Sequence, residues 1–229
     1  MWVLAQEDAL WDSDFAWEIL GLLAQGMWTT IQATIGGIII ALILGLLLAL
    51  GRRAPSRWIA WPTRAVIEFI RSTPLLIQLF VIFFVLPVMS NNVLVFSPMV
   101  SLIIGLGIHY ATYCSEAYRA GINSVPQGQW EASTALNLST VTKWTTVILP
   151  QAIPTSIPAL GNYFVAMFKD APLGAAITLT GILGVATGIQ ASTFRNLEPI
   201  TVAGILFLMV SIPVAIFVSR LERKYRYER

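Results

Sequence analysis

Two adjacent ionisable residues, Lys169 and Asp170, lie between apolar runs in the second half of the chain. Charged side chains flanked by apolar sequence are costly in a membrane unless they pair or face a polar cavity. A zwitterionic solute needs a cation for its carboxylate and an anion for its positive end, and these two residues could supply either. They therefore predict a place on a solute path. The alternative is a neutralising ion pair that stabilises a break in a helix.

Three further polar residues, Glu68, Arg71 and Gln78, are candidates for the same path. Glu68 and Arg71 are three residues apart and would share one helix face, so an ion pair between them is the favoured interpretation. The Gln78 amide could hydrogen-bond a solute, although a neighbouring helix is the commoner partner. His109 lies inside another apolar run, where it could line a path or pack as a hydrogen-bonded histidine.

No pattern typical of catalysis or metal binding is present in the sequence. A Ser/His/Asp set, a phosphate-binding glycine loop and a metal-ligand spacing are all absent. One cysteine, Cys114, excludes an internal disulfide, and one histidine excludes a His-rich metal site. We therefore expect no enzyme activity, no metal and no cofactor in this chain.

The composition predicts an all-α integral membrane protein. Of the 229 residues, 56% are hydrophobic and 11% are charged, against roughly 25% charged in a soluble domain. The mean hydropathy is +0.74. The net charge of +2 is small, and the basic residues form short clusters beside apolar runs, so nucleic acid is not an expected partner and membrane lipid is.

About five membrane spans are predicted from the apolar runs. They cover residues 26–50, 69–88, 99–117, 153–189 and 199–218. The fourth run is interrupted at Lys169-Asp170-Ala171-Pro172, which predicts a broken helix. In the first span, small residues recur every four positions and predict a face for close helix packing. These residues are Ala33, Gly37, Ala41, Gly45 and Ala49.

The distribution of charge predicts the orientation in the membrane. Arginines dominate the loop after the first span, which indicates a cytoplasmic position. Residues 1–25 are acidic and are expected outside, with residues 26–219 forming the membrane domain. The basic tail, residues 220–229, is expected in the cytoplasm.

Residues 120–150 contain a polar loop between the third and fourth spans. A short helix is predicted from about Gly128, ended by Asn137, since Asn tolerates the left-handed conformation of a helix terminus. Ser139 can cap a second helix, and Pro150 and Pro154 are predicted to end it. A helix–turn–helix of this shape suits a docking element, whereas an amphipathic loop on the headgroups is the simpler alternative.

This loop resembles the EAA loop of ABC importer permeases. Glu131, Ala132, Leu149 and Pro150 match its Glu-Ala-Ala and Leu-Pro elements, while Ser133 replaces the second alanine. Asn137 replaces the usual glycine, a departure that its left-handed tolerance can absorb. The resemblance implies a coupling helix that inserts into an ATPase subunit, with Glu131 orienting it and Asn137 setting its bend.

Other stretches are similar to polar amino acid permeases of this superfamily over nearly the whole chain. They are Gly26–Thr34, Glu68–Phe80, Tyr113–Ser133 and Leu149–Leu173. A finer resemblance, to ectoine/hydroxyectoine importer permeases, is carried by Ala135–Ser139, Ile157–Asp170 and Phe194–Pro199. The sequence KDAPL at Lys169–Leu173 departs from the more usual KDTSL or KDTPL.

The family resemblance implies an importer in the bacterial plasma (inner) membrane. Its expected partners are an ATPase dimer that binds ATP and Mg, a second copy or a homologous permease, and an extracytoplasmic solute-binding protein. The competing hypothesis is an ion-coupled secondary transporter without an ATPase, in which His109, Lys169 and Asp170 would form an ion relay. The short chain and the absence of an inverted repeat argue against it.

Overall fold

A computed structural model describes residues 11–226, and within this range the chain is helical without a strand. Predictions that concern residues 1–10 and 227–229 lie outside the described residues. The helices are α1 (Ser13–Arg52), α2 (Arg57–Arg71), α3 (Leu75–Phe80), α4 (Leu86–Met89), α5 (Pro98–Asn123), α6 (Gln127–Ala135), α7 (Thr140–Thr142), α8 (Leu149–Asp170), α9 (Ile182–Thr193) and α10 (Leu197–Arg226). Two π-helical turns, Val81–Val85 and Lys143–Ile148, join α3 to α4 and α7 to α8, and a 3₁₀ segment, Ala171–Ile177, follows α8.

The predicted all-helical membrane fold is confirmed. By length and composition, α1 and α10 can each cross a membrane, and up to four spans result if each of two bent helix pairs counts as one. α5 contains the third predicted span, residues 99–117, and is not among the helices that meet this criterion of length and composition. It carries more polar residues than the others, because it lies at the centre of the bundle and most of its side chains are buried in protein.

α1 begins at Ser13, well before the predicted span start at residue 26. Asp12 caps the helix by accepting hydrogen bonds from the backbone N–H groups of Asp14 and Phe15. Arg195, in the loop before α10, lies 2.6 Å from the Asp12 carboxylate and lowers the pKa of Asp12. Ile19 and Leu23 are buried against α9 and α10, so this first part of α1 packs as helix rather than as a separate segment.

The second predicted span is bent much more sharply than its sequence indicates. α2 and the α3–α4 segment differ in direction by 102°. The helix stops before Pro74, because a proline disfavours helical conformation in the residue that precedes it. The span therefore begins at Leu75, and α2 lies across its end instead of continuing it.

The small-residue face of α1 packs closely against another helix, as predicted, and that helix is α5. Ala33, Ala41 and Ala49 are buried, as are Gly37 and Gly45 between them. A Cβ atom added at Gly45 would lie 2.7 Å from the Cys114 Cβ atom. The two helix backbones thus approach more closely than larger side chains permit.

Pro150 and Pro154 do not end the second loop helix, which corrects the prediction. Helical backbone continues from α7 through a π turn into α8, with Pro150 in the first turn of α8 and Pro154 inside it. Pro150 falls where a new helix segment needs few N–H donors. Ala152 and Ser156 are buried on the packed face of α8, and the Ser156 hydroxyl donates to the Ala152 and Ala117 carbonyls. Tertiary packing thereby outweighs the helix-breaking tendency of proline.

The fourth span is broken, and the break extends beyond the residues predicted for it. The backbone tightens to 3₁₀ geometry at Ala171 and leaves helical conformation only at Thr178, which has a φ of 64°. The segments on either side differ in direction by 43°. Thr30 of α1 accepts a 3.0 Å hydrogen bond from the Ile182 N–H at the start of α9. The first span therefore helps to fix this break.

Gly45→Ala should destabilise the protein by about 1–3 kcal/mol, because the added methyl group overpacks the contact with α5. Gly204→Ala in α10 is the matched control, since nothing lies within 4 Å of a Cβ atom there. Thermal unfolding of the purified protein in detergent measures both. Equal stability of the two variants would show that the α1–α5 contact tolerates a side chain.

Candidate functional site

One face of α5 carries polar and aromatic side chains one helical turn apart. Tyr110, Tyr113 and Glu116 recur every three residues. The Tyr110 and Tyr113 ring centroids are 5.9 Å apart, and Tyr163 of α8 lies 5.6 Å from Tyr113. The His109 ring lies beside the rings of Tyr110 and Tyr113. These rings form an aromatic surface in the middle of the bundle.

Asp170 and Lys169 have different surroundings although they are adjacent. Asp170 is half-buried at the end of α8, and its carboxylate accepts a 2.7 Å hydrogen bond from the Tyr110 hydroxyl. Lys169 is exposed, and among residues 11–226 no ion pair joins it to Asp170. The alternative of a neutralising Lys169–Asp170 pair is therefore wrong for this arrangement. The side chains of neighbouring helical residues diverge by about 100°.

Gln78 connects the break after α2 to α5. Its amide nitrogen donates to the carbonyls of Ile70 and Thr73 at 2.8 and 3.1 Å, and to the Thr73 hydroxyl at 2.7 Å. Its amide oxygen lies 3.2 Å from His109 Nδ1, so the expected hydrogen bond to a neighbouring helix is present. The contact identifies His109 as a hydrogen-bonded histidine that also borders the aromatic surface.

Arg71 pairs with Glu116, and the predicted Glu68–Arg71 ion pair is wrong. The Arg71 guanidinium lies 3.7 Å from the Glu116 carboxylate and 5.3 Å from the centre of the Tyr113 ring. Glu68 is exposed, and none of the described cations lies within ion-pair distance of it. Glu116 is the better partner because its side chain is largely shielded from water, and electrostatic attraction is stronger in such surroundings than in water.

Glu116 is the meeting point of three arginines from three helices. Arg52 ends α1 and forms an ion pair with it, Arg71 ends α2, and Arg119 lies one turn further along α5. The Arg119 Nε atom donates to Glu116 Oε2 at 2.7 Å. This cluster ties the ends of α1 and α2 to α5.

The residues on this face can bind both ends of a zwitterion. Asp170 presents a carboxylate at one end of the aromatic surface, and Arg71 presents a guanidinium at the other. Tyrosine faces attract cations, which adds to the attraction of Asp170 for a positive group. Sequence reasoning identified the two charged residues but missed Tyr110, Tyr113 and Tyr163. The three-residue spacing of Tyr110, Tyr113 and Glu116 is the signal that could have found the α5 members.

The loop between α5 and α8 forms the predicted helix–turn–helix. Asn137 adopts a left-handed conformation with a φ of 53°, and the Ser139 hydroxyl caps the next helix at the Thr142 N–H. Ser133 is buried. The Trp130 and Trp144 rings meet edge to face at 5.4 Å, which fixes α6 against the π turn before α8.

The remaining residues predicted for this loop lie on its surface or at its end. Glu131 and Ala132 are exposed on α6, and the Glu131 carboxylate accepts a hydrogen bond from Gln127 Nε2 at 2.8 Å. Leu149 is half-buried and Pro150 is exposed at the start of α8. Leu136 and Val141, on either side of the turn, are each 72% exposed. The helix–turn–helix thus exposes apolar side chains at its turn and a carboxylate on α6 at the protein surface.

Broken and unbroken helical segments thus surround a polar face, and the helix–turn–helix lies at one end of them. Residues 37–227 match the model of the family described as binding-protein-dependent transport system inner membrane component. The chain belongs to this family.

Individual relatives are amino-acid permeases. The chain is 43% identical to the probable amino-acid ABC transporter permease protein y4tG of Sinorhizobium fredii, over 86% of this chain and 84% of that protein. It is 34% identical to the L-cystine transport system permease protein TcyB of Bacillus subtilis, over 89% and 86%. It superposes on the crystal structure of an amino acid ABC transporter with histidines with a TM-score of 0.83 and 29% identity, covering 93% of this chain and 99% of that one. Family membership makes this chain a permease component of a binding-protein-dependent transport system of the inner membrane.

Glu116→Gln should destabilise the protein by about 1.5–3 kcal/mol, since hydrogen bonds to charged groups contribute that much and three guanidinium groups lose their counter-charge. Glu68→Gln is the matched control, because it removes an exposed carboxylate from the neighbouring α2. Thermal unfolding in detergent at low and high salt measures both. A loss in Glu68→Gln that equals that of Glu116→Gln would contradict the assignment of Arg71 to Glu116.

Proposed function

We propose that this permease moves zwitterionic solutes along the α5 face, driven by an ATPase dimer that docks on the loop around Asn137. ATP and Mg bind to that ATPase. A second copy or a homologous permease completes the pathway, and an extracytoplasmic binding protein delivers the solute. In this proposal the N-terminus is outside and the C-terminus is cytoplasmic. Family membership favours this mechanism over an ion-coupled transporter acting alone.

The observation that carries the proposal is the opposed charges of Asp170 and Arg71 at the two ends of one aromatic surface. The Tyr110 hydroxyl orients the Asp170 carboxylate at 2.7 Å. Arg71 lies over the Tyr113 ring, one turn along α5. A solute with a positive and a negative group can therefore exchange its hydration for both contacts without leaving an unpaired charge. Glu68, Gln78 and Lys169 border this path in the proposal.

Ectoine and hydroxyectoine are the solutes that we propose within this class. Each combines a carboxylate with a cyclic amidinium, a flat delocalised cation. Such a cation can hydrogen-bond Asp170 while its plane lies on tyrosine faces. The sequence similarity at Ala135–Ser139 and Ile157–Asp170 supports the same choice. The amino-acid function of the relatives makes amino acids of similar size the natural competitors.

The loop geometry supports the coupling role. Docking on α6 and the turn would bury Leu136 and Val141, which are exposed in the single chain. Because Trp130 packs on Trp144, a displacement of α6 would also displace the helical backbone that leads into α8. α8 ends at Asp170, so movement of the loop and rearrangement of the solute path are mechanically connected.

Asp170→Asn should raise the KM for solute uptake about tenfold or more, since a hydrogen bond to a charged group contributes roughly 1.5–3 kcal/mol. Asp14→Asn, which removes an exposed carboxylate from the first turn of α1, should leave it unchanged. Uptake into proteoliposomes that contain the complete complex, loaded with the binding protein, measures KM and kcat.

The same assay with labelled ectoine separates the two levels of the proposal. Uptake of ectoine that excess amino acids do not inhibit supports ectoine as the transported solute. Uptake of amino acids without ectoine would exclude ectoine while keeping the permease function. An unchanged KM in Asp170→Asn would remove Asp170 from the solute path.

Glu131→Arg should reduce ATP-driven uptake at least tenfold while leaving the protein inserted in the membrane. The reason is that a positive charge would then meet the groups of the ATPase that the carboxylate would contact. Gln129→Arg is the matched control, since residues two apart on a helix lie on nearly opposite sides. Uptake and ATP hydrolysis are measured together in proteoliposomes. Normal uptake by Glu131→Arg would remove the coupling role of this residue.

A further inference from the structure

Four arginines line one cavity at the end of the bundle where α1, α2 and α5 meet. The cavity has a volume of about 540 Å³ and is lined by Arg52, Arg53, Ala54, Arg64, Arg119 and Asn123. The basic side chains come from the end of α1, the middle of α2 and the end of α5. They converge although they are far apart in sequence.

The positive charge of this cavity is only partly neutralised. Arg52 and Arg119 both pair with Glu116. Arg53 donates to the Asn123 side-chain oxygen, which is a neutral acceptor. Arg64 is exposed, and no carboxylate within the described range lies within ion-pair distance of it. Of the four guanidinium groups, only those of Arg52 and Arg119 are paired with a carboxylate, so an anion in the cavity would be strongly attracted.

An apolar cavity of about 650 Å³ continues from the arginine cavity along α2. Ala54 and Arg64 line both, and the other residues that line the second cavity are Pro55, Arg57, Trp58, Ala60 and Trp61. Trp58 is 90% exposed and Trp61 is 73% exposed in the chain. A ligand that occupies both cavities must therefore combine an anionic group with a long apolar part.

The direction of α2 is suited to a membrane surface. Its axis differs by 102° from the α3–α4 segment that enters the bilayer, so α2 lies roughly along the interface. Its exposed side chains include Ile59 and Phe69 as well as both tryptophans. Tryptophan is typical of the headgroup level, and arginine side chains reach from there to lipid phosphates.

We infer that these joined cavities bind an anionic phospholipid of the surrounding membrane. The phosphate lies among Arg53, Arg64 and Arg119, and an acyl chain follows Trp58 and Trp61. Basic pockets between transmembrane helices are suited to such headgroups. Because Arg52 and Arg119 also hold Glu116, the lipid would compensate the charge left over at the junction of α1, α2 and α5.

Arg64→Gln tests this site with little risk to folding, because Arg64 is exposed. Native mass spectrometry of the full-length protein, titrated with dioleoyl-phosphatidylglycerol, measures the affinity. Arg64→Gln should weaken binding roughly fivefold, as expected for one arginine near an anionic surface. Arg220→Gln, an exposed arginine of α10, should bind like the unaltered protein.

Two further measurements identify the source of the phosphate. Dioleoyl-phosphatidylcholine should bind more weakly, and inorganic phosphate at equal concentration should not displace the anionic lipid. Phosphatidylglycerol with brominated acyl chains should quench tryptophan fluorescence less in Trp58→Phe than in Trp28→Phe, a control in α1.

Three results of the lipid-binding measurements would overturn the inference. They are equal binding of the two lipids, equal affinity of Arg64→Gln and the unaltered protein, and displacement by inorganic phosphate, which would indicate a free-anion site. Loss of ATPase-subunit association in Arg64→Gln with lipid affinity unchanged would also overturn it and assign the cavity to a protein partner.

Discussion

The close approach of α1 and α5 is the constraint on which the rest of the structure depends. Gly37 and Gly45 allow the two backbones to pack where larger side chains would collide. In a bilayer the lipid tails are as apolar as the side chains, so shape complementarity rather than hydrophobicity holds helices together. With one side of α5 packed against α1, its polar side is left for α8 and the solute path. The same contact brings Arg52, at the end of α1, to Glu116.

Local backbone signals in the sequence were reliable, whereas long-range partners were not. Asn137 and Ser139 have the predicted roles because left-handed tolerance and helix capping depend on the residue and its nearest neighbours. The small-residue face of α1 was predicted since a four-residue spacing is visible without knowledge of its partner. Pro150 was misjudged because burial of α8 is a tertiary effect. Arg71 was paired with the wrong carboxylate since its long side chain can reach another helix.

The candidate site shows the same division. Asp170 was recognised by the cost of a charge in an apolar stretch. The tyrosines around it gave no such signal, because an aromatic residue in a membrane helix is ordinary. Their importance comes from where α5 and α8 bring them, beside a carboxylate and below a guanidinium. The angle of the bend before Pro74 could likewise not be predicted from the sequence. Proline marks the position of a break, but packing of α2 against α1 and α5 sets the angle.

The unbroken helical backbone from Thr140 to Asp170 has a thermodynamic consequence. It spans roughly 45 Å at 1.5 Å per residue, with the turn at Asn137 near one end and the solute-facing carboxylate at the other. If binding at the turn changes the affinity at Asp170 by some factor, then occupancy at Asp170 must change the affinity at the turn by that same factor. Solute bound at Asp170 would thus change the affinity of the loop for the protein that binds there. Communication along this helix runs in both directions.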